Sequence, residues 1–329
     1  MTATILNAQE LRAAFLDYCQ AHPFTQAPLG LYEPVDYILQ IGGKRVRPVL
    51  ALLAGQLFGS EQVTVQPVAH AVEIFHNFTL LHDDIMDDSP LRRGQATVHE
   101  KWDVNTGILS GDLMLIKAYE ALCSCATTHR LPEMLGIFNQ VATGVCEGQQ
   151  FDVEFEQRDD VSIDEYLKMI ELKTAVLLGG ALQLGALAAD ASSEDSQHLY
   201  EFGRLTGISF QLQDDLLDTF GTTAQIGKPV GNDIVRNKKT FLYLKALALA
   251  NDTQLASLTS WFSQSPDDPR RKVAEVTDIM RELGIPDQVA QLRDEYQAQA
   301  YAHLDAVTAP AERKVPIREL TEALLKRMS

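Results

Sequence analysis

The sequence holds no run of 18 uninterrupted apolar residues, so it lacks the signature of a membrane-spanning helix. Its opening stretch, "MTATILNAQELRAAFLDYC", has no basic start leading into an apolar run, and no secretory signal is expected. Cysteine is scarce, four residues in 329, and only Cys123 and Cys125 are close, as a single C-x-C. One such pair provides neither the ligands of a structural zinc site nor a disulfide framework. Reduced, mostly buried thiols in a cytoplasmic protein are the expectation. Positive charge is also short: 28 Lys+Arg stand against 45 Asp+Glu, a net charge of -17. Such a surface repels polyanions, which argues against general nucleic-acid binding. An anionic ligand would need a local basic pocket or a metal ion. Convincing period-two alternation, fixed-period repeats and low-complexity tracts are missing too, which leaves no sign of a sheet-built or repeat architecture.

What the chain does have is helix periodicity over most of its length. Its hydrophobic content of 46% is ample for a packed core. Apolar residues recur at three- and four-residue spacing in "VAHAVEIFHNFTLLHDDIMDD", "IDEYLKMIELKTAVLLGGALQLGALAAD" and "DSQHLYEFGRLTGISFQLQDDLLDTF". Two stretches, near 68–86 and 174–189, are apolar nearly all round, as helices in the middle of a bundle are. Pro, Gly, Ser and Asp mark breaks at 21–30, 88–94, 155–162, 189–195, 220–233 and 263–269. None is long enough for a domain linker, so a single all-α domain over 1–329 is the expected organisation.

The segment "LLHDDIMDDSPLRRG" (80–94) places four aspartates in six positions, and "QDDLLDT" (213–219) repeats its D-D-x-x-D core. Helical residues four apart lie about 40° apart around the axis. Asp83 and Asp87 therefore share a face, as do Asp214 and Asp218, while Asp84 and Asp215 sit to one side. Carboxylates this close repel by about 1 kcal/mol at 4 Å in water, and more when partly buried. A solvated helix end tolerates that, and so does a site whose gaps are filled by cations. Both triplets end long apolar stretches, so a buried flank is expected for each. Two such triplets facing each other offer hard oxygen ligands suited to Mg²⁺, with Mn²⁺ as the substitute. Mg²⁺ completes its shell with water and phosphate oxygens, which makes a diphosphate the expected ligand.

Basic residues then mark where phosphate is held. "IGGKRVRP" (41–48) sets Lys44, Arg45 and Arg47 beside two glycines that let a phosphate approach the backbone. Arg92 and Arg93 offer bidentate hydrogen bonds. Lys173 and Thr174 interrupt an apolar stretch, and "GKPVGNDIVRNKK" adds Lys228 and Lys238. These separated basic sites exceed the needs of one diphosphate and point to two phosphate-bearing substrates.

The ordered set "GGKRVRP", "LLHDDIMDDSPLRRG", "GQQFD", "LKT", "FQLQDDLLD" and "GKPVGNDIVRNKKTF", spanning 42–241, resembles the trans-isoprenyl diphosphate synthases, or polyprenyl synthetases. The resemblance implies an all-α helical bundle of the isoprenoid synthase type, usually a homodimer. It implies Mg²⁺-dependent head-to-tail condensation of isopentenyl diphosphate with an allylic diphosphate, giving a short all-trans prenyl diphosphate. By the same resemblance, Asp83, Asp87 and Asp214 hold the metals, three ions when substrate is bound, with Asp84, Asp215 and Asp218 in support. Arg92, Lys173 and Lys228 take the allylic diphosphate. Lys44, Arg47, His76 and Arg93 take isopentenyl diphosphate, and Thr174, Gln211 and Lys238 are further substrate contacts. Phe210 would line the cavity. One departure is visible: many bacterial members read E-G-K-x-T-L-P where this chain has "RNKKTFLY" (236–243), with Arg236 and Asn237 in place of Glu-Gly.

Product length is implied by bulky residues four or five places before the first motif, here Thr79 and Phe78. They point to farnesyl or geranylgeranyl diphosphate. On an ideal helix Phe78 projects well away from Asp83, and Phe75 or leucines of neighbouring helices are alternative floors. A longer-chain synthase and a non-catalytic partner subunit remain open, as does a class I terpene cyclase. A di-iron bundle is weaker, since E-x-x-H occurs at Glu73–His76 without the second such motif that site needs.

Overall fold

A computed structural model describes residues 5–222, 230–264, 266 and 268–326. They are mostly helical; the only strands among them are two residues each, β1 (Leu91–Arg92) and β2 (Gln95–Ala96). The chain divides into two compact units. The first runs to Phe138 and adds Gly180–Leu199 and Thr308–Ile317; the second holds Asn139–Gly179, Tyr200–Val307 and the chain from Arg318 on.

The first unit is built on α1 (Ala8–Ala21), α2 (Leu29–Gln40), α3 (Val46–Leu57), α4 (Gln62–Met86), the one-turn α5 (Val98–Lys101) and α6 (Val104–Cys123). A capping box starts α1: the Asn7 side chain accepts from the Glu10 amide while the Glu10 carboxylate accepts from the Asn7 amide. At the entry to α3, Gly42 and Gly43 have φ of 93° and 126°, which side chains rarely adopt. That turn swings the basic side chains of "GGKRVR" onto one end of α3. As its all-round apolarity predicts, α4 is central. Val68, Ala69, Val72 and Phe75 are almost wholly buried, and the helix packs most extensively on α6 and α3. Close approach to α6 depends on Gly111, where a Cβ would stand 2.2 Å from His82 Nε2.

The second unit takes most of α7 (Leu131–Gln157), then α8 (Ile163–Ile170) and a π-helical turn (Glu171–Ala175). The helix after that turn is α9 (Val176–Ala188), and α10 (Ser193–Phe220) follows it. Both have residues in each unit. Beyond them come α11 (Asn232–Val235), α12 (Phe241–Leu249), α13 (Asp252–Phe262), α14 (Arg270–Glu282), α15 (Ile285–Ala306) and the end of α16 (Ala311–Lys326). Capping boxes at Ser162/Glu165 and Asn251/Gln254 start α8 and α13. The core of this unit centres on Leu212, Leu242, Leu258, Val276 and Val289, all at zero exposure. Each stabilises the fold by roughly 1.5–3 kcal/mol.

Helix ends fall where the turn-forming residues predict, around 22–28, 87–97, 158–162, 189–192 and 263–269. One expectation needs amendment. Of the four thiols only Cys125 is buried; Cys123 and Cys146 are exposed, because they lie on the outward faces of α6 and α7. In addition, the continuous stretch Ile163–Ala188 is long and apolar enough to cross a membrane, although 83% of its most apolar window is buried within the protein. Burial of that kind is what a core helix needs.

Candidate active site

The first aspartate triplet ends α4. Asp83 and Asp84 occupy its last turn and Asp87 is the C-cap; the Asp83, Asp84 and Ile85 carbonyls there accept from the Asp87, Ser89 and Asp88 amides. The middle carboxylate is the buried one. Asp84 is 3% exposed and takes both arms of Arg92, Nε to Oδ2 and Nη2 to Oδ1, each at 2.7 Å. Two of the five N–H donors of Arg92 are thus committed and three remain. Asp83 is half-buried and Asp87 exposed. Arg92 ends β1, and the left-handed Arg93 in the turn after it (φ 52°) donates to the Gly42 carbonyl.

Behind this face lies a basic cluster. Arg45 forms a buried ion pair with Glu73 and also donates to the Leu39 carbonyl. The Arg47 Nη1 lies 3.2 Å from His76 Nε2, while its Nε is buried without a hydrogen-bond partner. Loss of hydration lowers Arg47 to about 10, which still leaves it charged at neutral pH. Burial, then the surrounding arginines, hold His76 well below the usual imidazole range. A neutral His76 accepts from Arg47 through Nε2 and carries its proton on Nδ1. Lys44, on the same glycine turn, is exposed. Glu73 also takes the Asn77 amide at 2.9 Å, so the Glu73–His76 pair is engaged with arginines and an amide rather than arrayed for iron.

Phe75 is 1% exposed and Phe78 half-buried. Their rings lie 5.6 Å apart; Phe75 continues to Phe138 at 5.4 Å and Phe138 to Tyr119 at 4.9 Å. Phe78 also meets His82 at 4.8 Å. Thr79 bonds back to the His76 carbonyl at 2.8 Å, a local helix contact.

The second triplet lies in the last two turns of α10, and again the middle member is deeply buried. Asp215 is 2% exposed and accepts from Tyr166 Oη at 2.5 Å and Gln211 Nε2 at 3.2 Å. Burial raises its pKa to about 8 against the opposing hydrogen bonds. Asp218, 1% exposed, accepts the Asp233 amide at 2.8 Å and so fixes the start of α11. Asp214 is half-buried. A cavity of about 460 Å³ opens beside Asp215, with Lys173, Thr174, Gln211 and Lys238 in its wall. Phe210 is half-buried and is not among the described residues lining it. Lys228 lies outside the described residues.

Lys173 and Thr174 stand on the π turn, a wider coil that commonly occurs at functional sites. Lys173 Nζ meets Asp152 Oδ2 at 2.5 Å. The turn presses on α7 at Gly148, where a Cβ would lie 2.2 Å from the Lys173 amide nitrogen. In the loop carrying Lys238, Asn237 is left-handed (φ 56°). Asparagine is among the few side-chain-bearing residues that tolerate this, which explains how it replaces the glycine of the related motif. Lys272, wholly buried, donates to the Asn237 side chain and, at 3.0 Å, to the Gln264 carbonyl. Asp152, Tyr166, Asp233 and Lys272 were absent from the residues singled out in the sequence. Asp152 and Asp233 had a local signal there, as members of "GQQFD" and "GKPVGNDIVRNKKTF".

A model of the family described as polyprenyl synthetase matches residues 29–280. The chain is 35% identical over 295 residues to the short chain isoprenyl diphosphate synthase of Methanothermobacter thermautotrophicus, which covers 89% of this chain and 86% of that one. It is 40% identical over 249 residues to the geranylgeranyl diphosphate synthase of Methanosarcina mazei, 75% of this chain and 76% of the relative. The crystal structure of a geranylgeranyl pyrophosphate synthase matches with a TM-score of 0.92 at 41% identity, over 98% of this chain and 100% of the other. The chain belongs to the polyprenyl synthetase family and is a prenyltransferase with the all-α isoprenoid synthase fold.

Proposed function

We propose that the protein condenses isopentenyl diphosphate with an allylic diphosphate, head to tail, and releases a short all-trans prenyl diphosphate and diphosphate. The whole chain, 1–329, acts as one catalytic domain. The observation that carries this reading is how the six aspartates divide. Asp84, Asp215 and Asp218 are 1–3% exposed and bonded to Arg92, Tyr166 and a backbone amide. Asp83, Asp87 and Asp214 are left more exposed. The three more exposed aspartates are the set expected to hold Mg²⁺, and an all-oxygen donor set fits that ion. Three ions with substrate bound, and Mn²⁺ as a substitute, belong to the same reading. Bound Mg²⁺ supplies charge neutralisation on the departing diphosphate.

The remaining work falls to side chains of this chain. Arg92, with three N–H donors left over from Asp84, and Lys173, with donors left over from Asp152, hold the allylic diphosphate. Lys228, Gln211, Thr174 and Lys238 complete its contacts. Lys44, Arg47, neutral His76 and Arg93 hold isopentenyl diphosphate. As the allylic carbon–oxygen bond breaks, the electron pair leaves with the diphosphate. The double bond of isopentenyl diphosphate attacks the allylic carbon, and a proton then passes to the released diphosphate. Fixed cations aimed at the developing negative charge lower the barrier.

Phe78, backed by Phe75 and Phe138, is the floor that limits the product to farnesyl or geranylgeranyl length. On α6, Val104, Ile108, Leu109 and Ile116 stay 43–63% exposed, an apolar face that supports a homodimer. Cytoplasmic residence belongs to the same reading. The test supplies purified protein and Mg²⁺ with dimethylallyl, geranyl or farnesyl diphosphate, with and without isopentenyl diphosphate. Products of 15 or 20 carbons that require both substrates are expected. Longer chains would indicate a polyprenyl synthase, and cyclised products without isopentenyl diphosphate would refute condensation. Inactivity alone, with stimulation of another synthase, would indicate a regulatory subunit.

A further inference from the structure

His99 on α5 is out of place electrostatically. Its side chain is only 5% exposed, yet both ring nitrogens lack a hydrogen-bond partner. Buried polar atoms without partners are few in folded proteins, and an absent ion is one of their recurrent explanations. Two carboxylates converge on this imidazole. Glu100 Oε1 lies 3.9 Å from His99 Nε2. Asp88, just past the end of α4 in a left-handed conformation (φ 48°), completes the group. One ligand atom from each of the three lies within 4.8 Å of the others.

We propose that Asp88, His99 and Glu100 form a binding site for a first-row transition-metal dication of the Zn²⁺ type, distinct from the Asp83, Asp87 and Asp214 set, with Asp88 directly following Asp87 in the chain. One imidazole nitrogen with two carboxylates suits such ions, whereas an all-oxygen set suits Mg²⁺. Tetrahedral ligands about 2.1 Å from a common ion lie about 3.4 Å apart. Atoms that now stand within 4.8 Å of one another must close by up to about 1.4 Å, which the exposed Asp88 and Glu100 side chains allow by rotation. His99 Nε2, the nitrogen facing Glu100, is the ligand, and Nδ1 carries the ring proton. The bound ion ties residue 88 to residues 99–100. It thereby closes the base of the β1–β2 hairpin that bears Arg92 and Arg93.

Zn²⁺ is titrated calorimetrically into the full-length protein with excess Mg²⁺ present to occupy the aspartate motifs. The same titration follows on Glu100→Gln and His99→Gln, with hydrogen exchange read at residues 89–97. Glu100 is half-exposed, so Glu100→Gln keeps the test valid if His99→Gln fails to fold. The expected result is one Zn²⁺ site that weakens at least about tenfold in either variant, with slowed exchange at 89–97 in the parent alone. Co²⁺ in place of Zn²⁺ should give a visible absorption band that His99→Gln loses. The proposal is overturned by no Zn²⁺ binding in the parent, or by identical isotherms in the parent and Glu100→Gln. Binding is scored without turnover, so failure here leaves the condensation reading untouched, and the reverse.

Discussion

Gly148→Ala should separate the packing that positions Lys173 from the chemistry Lys173 performs. The added methyl would stand 2.2 Å from the Lys173 amide nitrogen and 2.7 Å from its Cα, more than 1 Å inside ordinary contact. Both are backbone atoms, so no side-chain rotation relieves the clash; α7 or the π turn must move by about 1 Å. Overpacking of this kind costs typically 1–3 kcal/mol, or roughly 1.5–4 °C in Tm at this size. A displacement near 1 Å of a group that holds the reacting diphosphate costs on the order of 10²-fold in rate. Gly144→Ala, one turn earlier, is the control. Its methyl would meet only Leu172 Cδ2 at 3.4 Å and Val176 Cγ2 at 3.6 Å, and alanine favours helix by about 1 kcal/mol over glycine. Thermal melts and steady-state kinetics on both variants decide the matter. Gly148→Ala should melt lower and lose kcat, while Gly144→Ala should match or exceed the parent in Tm. A Gly148→Ala protein with unchanged Tm and kcat would refute the claim that this contact sets where Lys173 stands.

Arg92→Lys should cost about 1–3 kcal/mol in stability or more than tenfold in kcat/KM, because a single ammonium cannot replace the two-armed bond to Asp84; parent-like melts and kinetics would count against it. Asp215 binds a proton in the folded state up to about pH 8, whereas the unfolded chain releases it near pH 4. Stability of the metal-free protein from this group therefore falls as pH rises through that interval and levels off above it. Asp215→Asn should abolish that share of the slope in denaturant titrations, and Mg²⁺, by favouring the carboxylate, should flatten it. Tyr166→Phe removes a hydrogen bond that lowers the Asp215 pKa, so the decline should extend to higher pH. Phe78→Ala opens the aromatic row in front of Phe75 and should lengthen the product by at least one five-carbon unit; an unchanged product distribution rejects Phe78 as the floor.

Helix type, most helix ends and both aspartate triplets were legible in the sequence because each depends on spacings within one or two turns. The all-round apolarity near 68–86 announced a central α4, and "GQQFD" carried Gly148 and Asp152 one turn apart. Family membership was readable for a related reason: short motifs in fixed order survive as strings. Which aspartates of the two triplets are buried was a different matter. Asp84 meets Arg92 through a hairpin, and Asp215 meets Tyr166 across 49 residues of chain. Nor does any local pattern reveal that Lys272 supports Asn237, since the two are joined only when α14 packs beside the loop. The π turn under Lys173 likewise reads as ordinary helix in sequence. Local hydrogen bonding and periodicity act over a few residues and are therefore written in the order of the amino acids. Burial, ion pairing and the pKa of a carboxylate depend on which distant side chains the packed core brings against it, and only the tertiary structure decides that.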